Sequence, residues 1–437
     1  MNDNKKEENR LSKLIKGYIA SKKEEIRSYG KTNLIKRLVT IGITLVCAIL
    51  FIFIFSNTNY YRNDLTIQQG EWYGIYAKLV KGRVEEIDKY YYPEPEEKED
   101  YLYCIYFKVK ITEGIDKGKI VEAKQYMNDY MTHFINDVKK GQNIYIVKEE
   151  TSEAGNPTYY FAGNSISYNH WGGIIALAII LVILLLIISK SKGLLTILSL
   201  GLTILVIVYV FLPSILLGKN IYALTLICAV YVIVVTFILV IGINKKFVCA
   251  SLGCFSGLLL SGLLALLTLH IIHATGYYYE EGEESSVMLM QTYYNAGISI
   301  NLKGLLFAST IIGALGAVMD VSLSLSSALK EVYDNTEKPT LAKTIKSGFV
   351  IGKDMIGTMV NTLVLAYVAS DLTFILWMMS HHSDGFILQS EYIAVAIAQA
   401  IVGSIAMVLT IPLTSLICAF IYNKKNQTID NKLMEEE

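Results

Sequence analysis

Long apolar runs separated by short polar segments make up most of the chain. A first run covers residues 38–55, and a large polar block follows at 57–170. Seven further apolar runs lie near 172–188, 193–212, 221–243, 247–272, 303–327, 349–370 and 386–421. Each run has about 17 residues or more, which is enough for a helix to cross ~30 Å of hydrocarbon. The pattern predicts an α-helical polytopic membrane protein with about eight transmembrane helices.

The polar block at 57–170 has the pattern of a small β-rich domain inserted between the first two helices. Alternating or β-branched runs occur at 77–84, 102–111, 120–125 and 144–147. Glycine-containing turn signals separate them at Lys81-Gly82, Asp116-Lys117-Gly118 and Lys140-Gly141. Residues 90–100 are acidic and include two prolines, so we predict a loop there. A small β-barrel or sandwich fits these signals.

Composition agrees with a membrane protein, and the placement of charge predicts its orientation. Of the 437 residues, 53% are hydrophobic and only 18% are charged, against about a quarter in soluble domains. The net charge is zero, so the total charge says nothing about partners, and we predict no nucleic-acid partner. Basic residues concentrate in residues 1–37 and in the short loops 189–192, 244–246 and 330–346. Because such loops stay inside, we predict cytoplasmic termini and an extracytoplasmic β-rich domain.

Five segments follow from this pattern. They are a basic cytoplasmic tail (1–37), the first transmembrane helix (38–56), the extracytoplasmic β-rich domain (57–170), a helical membrane domain of about seven spans (171–422) and a cytoplasmic tail (423–437). The run at 386–421 is too long for one straight crossing. Pro412 kinks it, or its first turns lie outside the bilayer.

Three charged residues inside apolar runs are the main functional candidates, because a charge within a membrane helix is costly. Asp320 lies in the sixth span, and Lys353 and Asp354 lie in the seventh. Spacings of three or four residues place Gly313, Gly316, Asp320 and Ser324 on one helix face, and Asp354, Thr358 and Asn361 on another. We predict that four glycines, Gly313, Gly316, Gly352 and Gly357, serve the close packing of helices.

The two aspartates predict an ion, proton or substrate site within the membrane. Counting from the loop between the two spans places Asp320 and Asp354 at one depth of about 10 Å. Alternatively, Lys353 neutralises one aspartate and the cluster only fastens two helices, or Lys353 extends to the interface. The cluster contains two carboxylates and one lysine, so one negative charge is not compensated. A purely structural cluster would avoid such a charge inside the membrane, and this favours the functional interpretation.

Enzyme and metal chemistry have little support in the sequence. The motifs HExxH, GxSxG and GxxxxGK[ST] are missing, and the glycine-rich context of intramembrane aspartyl proteases is not found beside Asp354. His270 and His273, with His381, His382, Asp384 or the acidic run 280–284, offer a weak metal pattern. We therefore predict no enzymatic activity, no cofactor and no metal site.

Two stretches of the sequence form a recognisable pattern. One is Ser347-Gly348-Phe-Val-Ile-Gly352-Lys353-Asp354-Met-Ile-Gly357-Thr358-Met-Val-Asn361-Thr362-Leu-Val-Leu-Ala-Tyr367, and the other runs from Gly313 to Asp320-Val-Ser. Together they resemble the YibE/F family of bacterial multi-pass membrane proteins. The resemblance covers about residues 170–420. This chain has Lys353 where the family most often has arginine, which keeps the charge but loses the planar fork for a carboxylate. The resemblance implies fold and bacterial cell-membrane location more than mechanism.

Two functions from different classes follow. The first is a transporter or permease in which Asp320, Asp354, Asn361, Thr358, Lys353 and Ser324 bind a coupling ion, a proton or a small solute. The second is a cell-envelope scaffold or assembly factor that binds an envelope protein through residues 57–170. The expected partners are the lipid bilayer, a small solute or ion, an envelope protein and further copies of the chain.

Overall fold

The structure is a computed structural model, and it forms two compact units. It describes residues 37–56, 76–93, 101–114, 116–129, 131–133, 135–150, 158–161, 170–277, 300–337, 339–381 and 384–435. One unit contains Asn59–Lys190, and the other contains Met1–Thr58 together with Ser191–Glu437. Most of the predicted cytoplasmic tail at 1–37 and the acidic run 280–284 lie outside the described residues, as does His382.

The polar block folds into a closed five-stranded barrel. Its strands are β1 (Tyr76–Tyr91), β2 (Tyr103–Ile111), β3 (Ile120–Met127), β4 (Asn143–Glu150) and β5 (Thr158–Tyr160). The barrel closes in the order β1-β2-β3-β5-β4, with β3 and β5 parallel and the other pairs antiparallel. A five-stranded barrel of this kind is the architecture of OB-folds. The β-rich prediction is confirmed.

Three details of the barrel differ from the sequence-based prediction. They are the position of a turn, the end of a strand and the presence of a short strand, all of which depend on how distant strands pair. Lys81-Gly82 is not a turn: Gly82 lies inside β1, opposite Ile111 of β2 and Ile144 of β4. A Cβ at Gly82 would collide with Val109, so glycine permits the close approach where β1 changes partner. β1 also continues to Tyr91, into the predicted loop, and the three-residue β5 was not predicted.

The barrel has its own core and a buried polar clamp. Its interior side chains include Val84, Ile105, Phe107, Val109, Ile144 and Ile146. The buried Gln125 accepts a hydrogen bond from the backbone N–H of Val138 at 2.9 Å and donates one to the carbonyl of Asn136 at 3.0 Å. Gln125 therefore fixes the segment that connects β3 to β4, and this bonding offsets the cost of burying an amide.

Eight helices are long and apolar enough to cross a membrane, which confirms the predicted polytopic membrane protein. They are α1 (Arg37–Phe55), α2 (Trp171–Lys190), α3 (Lys192–Leu216), α4 (Ile221–Ile241), α5 (Lys245–Ile271), α6 (Leu302–Asp334), α7 (Leu341–Ser370) and α10 (Glu391–Glu435). Two short helices, α8 (Leu372–His381) and α9 (Asp384–Gln389), precede α10. α9 takes up the first residues of the run that was predicted at 386–421, α10 takes up the rest, and Pro412 lies inside α10.

Small residues let α10 pack closely against α5 and α7. A Cβ at Gly253 or Gly257 of α5 would overlap Thr414 or Thr410 of α10. On α7, Gly348 lies against Ser415, and Gly352 lies against Ile411. Helices in a bilayer gain stability mainly from such close contact, since lipid is as apolar as their side chains. α5, α6, α7 and α10 thereby form the packed centre of the membrane unit.

The ends and the edge of this unit are held by polar and aromatic contacts. The Glu391 carboxylate at the start of α10 accepts hydrogen bonds from the Gly276 N–H at 2.7 Å and from the Thr275 hydroxyl at 2.8 Å. α1 packs against α4, where Phe51 stacks on Tyr231 with ring centroids 4.7 Å apart. The first helix is therefore placed at α4, and among the described helices α7 packs mainly against α10 and α6.

Candidate functional site

The candidate site is organised around α6, which packs against α4, α5, α7 and α10. Fourteen of its 33 residues are buried, on the sides that face these neighbours. Between its two ends one narrow stripe is exposed, and its members are all small or polar: Ser309, Gly313, Gly316, Asp320 and Ser324. We call these five residues the α6 stripe. They form the floor of a groove with the only carboxylate of the stripe at its middle.

The groove has α7 on one side and α3 and α4 on the other. On the α7 side, Gly313 faces the ring of Tyr367, and a Cβ at Gly313 would overlap the Tyr367 hydroxyl. On the α4 side, Gly316 and Met319 border a cavity of about 350 Å³ that α3 and α4 also line. Gly316 has no atom within 4 Å of a Cβ position, so its missing side chain leaves space rather than a helix contact.

Hydroxyl groups line the cavity beside the α6 stripe. They belong to Thr196, Ser199, Thr203, Thr225 and Thr236, and the remaining lining is mostly apolar. Thr203 and Thr225 donate their protons to carbonyls one turn back in their own helices, at 3.0 and 2.7 Å. A hydroxyl that donates in this way keeps its oxygen as an acceptor. The cavity therefore offers oxygen ligands in an apolar surrounding, which suits a cation or a small polar solute.

Tyr367 is a site residue that the sequence analysis did not single out. Its hydroxyl is buried against Gly313 and has no hydrogen-bond partner among the described residues. A buried hydroxyl without a partner costs about 1–3 kcal/mol, so its retention at the edge of the groove is a functional signal. A tyrosine opposite a glycine cannot be recognised from spacing within one helix, because the pair depends on how α6 and α7 meet.

α7 presents a second polar surface, which we call the α7 face. It consists of Lys353, Asp354, Gly357, Thr358, Asn361 and Thr362, all of them exposed. Only 6% of the most apolar part of α7 is buried in the protein, compared with about half for α6. Gly357 has no atom within 4 Å of a Cβ position, so it does not pack inside this chain, whereas Gly352 does.

The charged residues of the two surfaces remain unpaired within the described part of the chain. No ion pair or hydrogen bond joins Asp320, Lys353 or Asp354 to another described side chain. Lys353 therefore makes no ion pair with Asp320 or Asp354 within the described residues. Thr358 donates its hydroxyl proton to the carbonyl of Met355 at 3.2 Å, and its oxygen stays available as an acceptor.

The register of α6 and α7 separates the two aspartates in depth. Gly313 lies against Tyr367 and Gly348 lies against Leu329, so the antiparallel helices are aligned between these two contacts. This alignment sets Asp320 level with residues 357–360 of α7, which is three to six residues from Asp354. The separation along the axis is ~5–9 Å at 1.5 Å per residue.

The single depth that was expected for the two carboxylates is thus replaced by two polar levels. Asp320 lies nearest in depth to Thr358 and Asn361, and Asp354 lies nearest in depth to Ser324 and Lys353. The difference arises because counting from a loop assumes that both helices enter the bilayer at the same residue. The contacts at Gly313 and Gly348 fix the alignment instead.

The histidines do not form a metal centre within the described residues. No group of three or more histidine, cysteine, aspartate or glutamate side chains there is arranged to hold a metal ion. The ring of His381 instead stacks on Trp377, with centroids 5.2 Å apart. His273 adopts a positive φ of 53° at the end of α5, where it takes part in the turn that follows the helix.

One comparison with known proteins gives a match. A family model described as YibE/F-like protein matches residues 177–424, which is more than half of the chain and includes both polar surfaces. No curated protein and no solved structure matches the chain.

Proposed function

The chain belongs to the YibE/F-like family, and we propose that it is a transporter or permease for a small solute or ion. The α6 stripe is the path in this proposal, and Asp320 is its binding residue. The observation that carries it is the exposure of a carboxylate on a helix that packs against four others in a multi-pass membrane protein. The neighbouring stripe positions hold only glycine and serine, which leave space for a solute.

The energetics of Asp320 support a path with water or solute in it. An aspartate at the centre of a membrane helix costs about 2.5–3.5 kcal/mol on insertion scales unless it is solvated or paired. No described side chain pairs with Asp320. In the proposal, a proton, a bound cation or water in the groove compensates the carboxylate, and the first two are intermediates of transport.

The other candidate residues take roles from their positions. Thr358 and Asn361 lie at the depth of Asp320 but on the α7 face, which is turned away from the α6 stripe, so they do not line the path within one copy. Ser324 extends the polar floor by one turn towards the α6–α7 loop, near Asp354. Lys353 is a cation in reach of both polar levels and tunes how strongly the carboxylates hold a positive charge.

The proposal includes a location and an orientation. The chain lies in a bacterial cytoplasmic membrane with both termini in the cytoplasm and the β-barrel outside. The support is the distribution of lysine and arginine, which concentrate in residues 1–37, 189–192, 244–246 and 330–346. With eight crossings, both termini fall on the same side.

Proton and ion flux through proteoliposomes tests the path. We expect Asp320→Asn to reduce the passive proton leak, and any solute flux, by tenfold or more, because the only titratable group of the stripe is lost. Asp334→Asn is the matched control: it lies at the end of the same helix, pairs with Lys330 and should leave flux unchanged. Equal flux in the wild type and in Asp320→Asn would refute the mechanism.

An envelope scaffold is the second candidate, and the barrel surface favours it. Tyr90, Tyr92 and Tyr126 have 43%, 64% and 45% of their surface exposed, and aromatic side chains of this kind are typical anchors of protein interfaces. In a deletion strain with a scorable phenotype, a scaffold would keep its function in Asp320→Asn and lose it in Tyr92→Ala with Tyr126→Ala. A transporter would show the opposite result.

A further inference from the structure

The α7 face is polar along three turns, yet it points away from the described helices that pack against α7, which are mainly α6 and α10. Asp354 and Asn361 lie two helical turns apart and share one direction, and Gly357 and Thr358 flank them. α7 makes its internal contacts through the opposite side, where Gly352, Met359 and Leu363 pack towards α10. The exposed side therefore combines a carboxylate, an amide, a hydroxyl and a glycine.

Hydrocarbon is an unsuitable neighbour for this face. Lys353 has a long apolar stem and can reach an interface, but the short side chains of Asp354 and Asn361 cannot. An amide in lipid leaves two donors and an acceptor without partners. A protein surface of matching polarity is needed to cover the face.

The helices that the structure describes do not supply that cover. α1 is engaged with α4 through Tyr231, away from α7. The sequence of α2 from Gly172 to Ile188 carries no polar side chain, so this stretch has no side-chain hydrogen-bonding groups to offer. Neither α1 nor this stretch of α2 is therefore complementary to Asp354 and Asn361.

We propose that a second copy of this chain covers the α7 face, so that two α7 helices pack about a twofold axis normal to the membrane. Asn361 is self-complementary, because its amide can donate to and accept from the same amide of the other copy. Gly357 lets the two backbones approach closely one turn away. Lys353 lies at the edge of the face and reaches the carboxylate of Asp354 in the second copy.

Charge supports the twofold arrangement. One copy contributes one lysine and one aspartate to the face, so two copies contribute two of each and the interface is neutral. Two Asp354 carboxylates near the axis repel each other unless both lysines are present. The self-association goes beyond the proposed function and requires no transport, because the α7 face is separate from the α6 stripe.

Cysteine cross-linking in membranes tests the contact. Leu365 continues the α7 face by one turn and is 57% exposed, and Leu263 of α5 is 65% exposed on another side of the unit. In a background with Cys47, the exposed native cysteine, replaced by alanine, Leu365→Cys should give disulfide-linked dimers and Leu263→Cys should not. Monomers for both variants, or equal cross-linking of both, would overturn the proposal.

Neutralisation variants give a second measurement by single-molecule photobleaching in liposomes. Lys353→Met leaves two opposed carboxylates and should raise the dimer dissociation constant about tenfold or more, whereas Lys353→Met with Asp354→Asn should restore dimers. Monomers of the wild type at every density would overturn the interface, as would labelling of Leu365→Cys by a water-soluble maleimide at the rate of an exposed thiol.

The outcome is separable from that of the transport proposal. Asp320→Asn should leave the dimer intact, because the α6 stripe is not part of the α7 face. Dimers with unchanged flux in Asp320→Asn would refute the solute path and keep the interface. Lost flux in a wild-type protein that is always monomeric would refute the interface and keep the path.

Discussion

A double-mutant cycle between Gly313 and Tyr367 tests the alignment of α6 and α7, on which both proposals depend. The Cβ of an alanine at Gly313 would overlap the Tyr367 hydroxyl and lie 3.1 Å from the ring carbon that carries it. Contacts of 3.0–3.4 Å are tight but tolerable, so the hydroxyl is the group that has to move. Overpacking of this kind costs about 1–3 kcal/mol of unfolding free energy.

Tyr367→Phe removes that hydroxyl and should reverse the loss. The hydroxyl has no hydrogen-bond partner among the described residues, so its removal alone should be neutral or stabilising. Once it is gone, the nearest described side-chain atom is the ring carbon at 3.1 Å, which a shift of a few tenths of an ångström accommodates. We therefore expect Gly313→Ala to cost about 1–3 kcal/mol beside Tyr367 and less than 1 kcal/mol in the Tyr367→Phe background.

The assay is unfolding of the purified full chain in mixed micelles by increasing fractions of SDS, followed by circular dichroism. Gly316→Ala is the matched control, because this glycine of the same stripe has no atom within 4 Å of its Cβ position. It should be neutral or stabilising, since alanine is the better helix former by about 1 kcal/mol. Equal effects of the two glycine substitutions, or the same loss for Gly313→Ala in both backgrounds, would refute the alignment.

Three further predictions concern packing and the barrel. Gln125→Leu should destabilise the barrel by about 1–3 kcal/mol in thermal unfolding, because a buried backbone N–H loses its acceptor. Burial, with a hydrogen bond to a carboxylate, raises the pKa of Tyr103 to about 12, so its stabilising contribution is complete below pH 10 and is lost as the pH rises towards 12. Tyr103→Phe should remove that part of the alkaline loss in unfolding curves at pH 9–12. Gly257→Val should reduce the yield of folded protein in size-exclusion chromatography, whereas Gly201→Val, which meets no atom within 4 Å, should not.

Much of the fold could be predicted because membrane helices and strands carry local signals. The apolar runs gave every long helix, since a span needs a continuous stretch of about 20 residues. The barrel strands followed from alternation, except for β5, where three residues are too few for a pattern. Gly82 was misinterpreted as a turn because glycine marks either a turn or a close approach, and only the pairing of β1 with both β2 and β4 decides between them.

The sequence allowed us to predict which residues belong to the candidate site, but not how the helices arrange them in space. Spacing by three and four placed Asp320 with Gly316 and Ser324 on one side of α6, and the structure has them on one exposed stripe. Spacing within a helix does not show which side meets a neighbour or where two helices align. The difference in depth between Asp320 and Asp354, and the approach of Tyr367 to Gly313, arise from contacts between helices that no single segment encodes.

Lys353 lies between the two polar surfaces, and its position shows how the two proposals can be tested apart. At 100° per residue, Lys353 lies about 20° around α7 from Val360, which packs inside the chain, whereas Asp354 lies about 120° away. Lys353 is therefore at the border between the groove and the α7 face. Within the described residues it makes no ion pair with Asp320. Loss of the Asp320 charge should therefore leave the contact between copies unchanged, whereas loss of the Lys353 charge should weaken it, because the two Asp354 carboxylates then face each other without a cation.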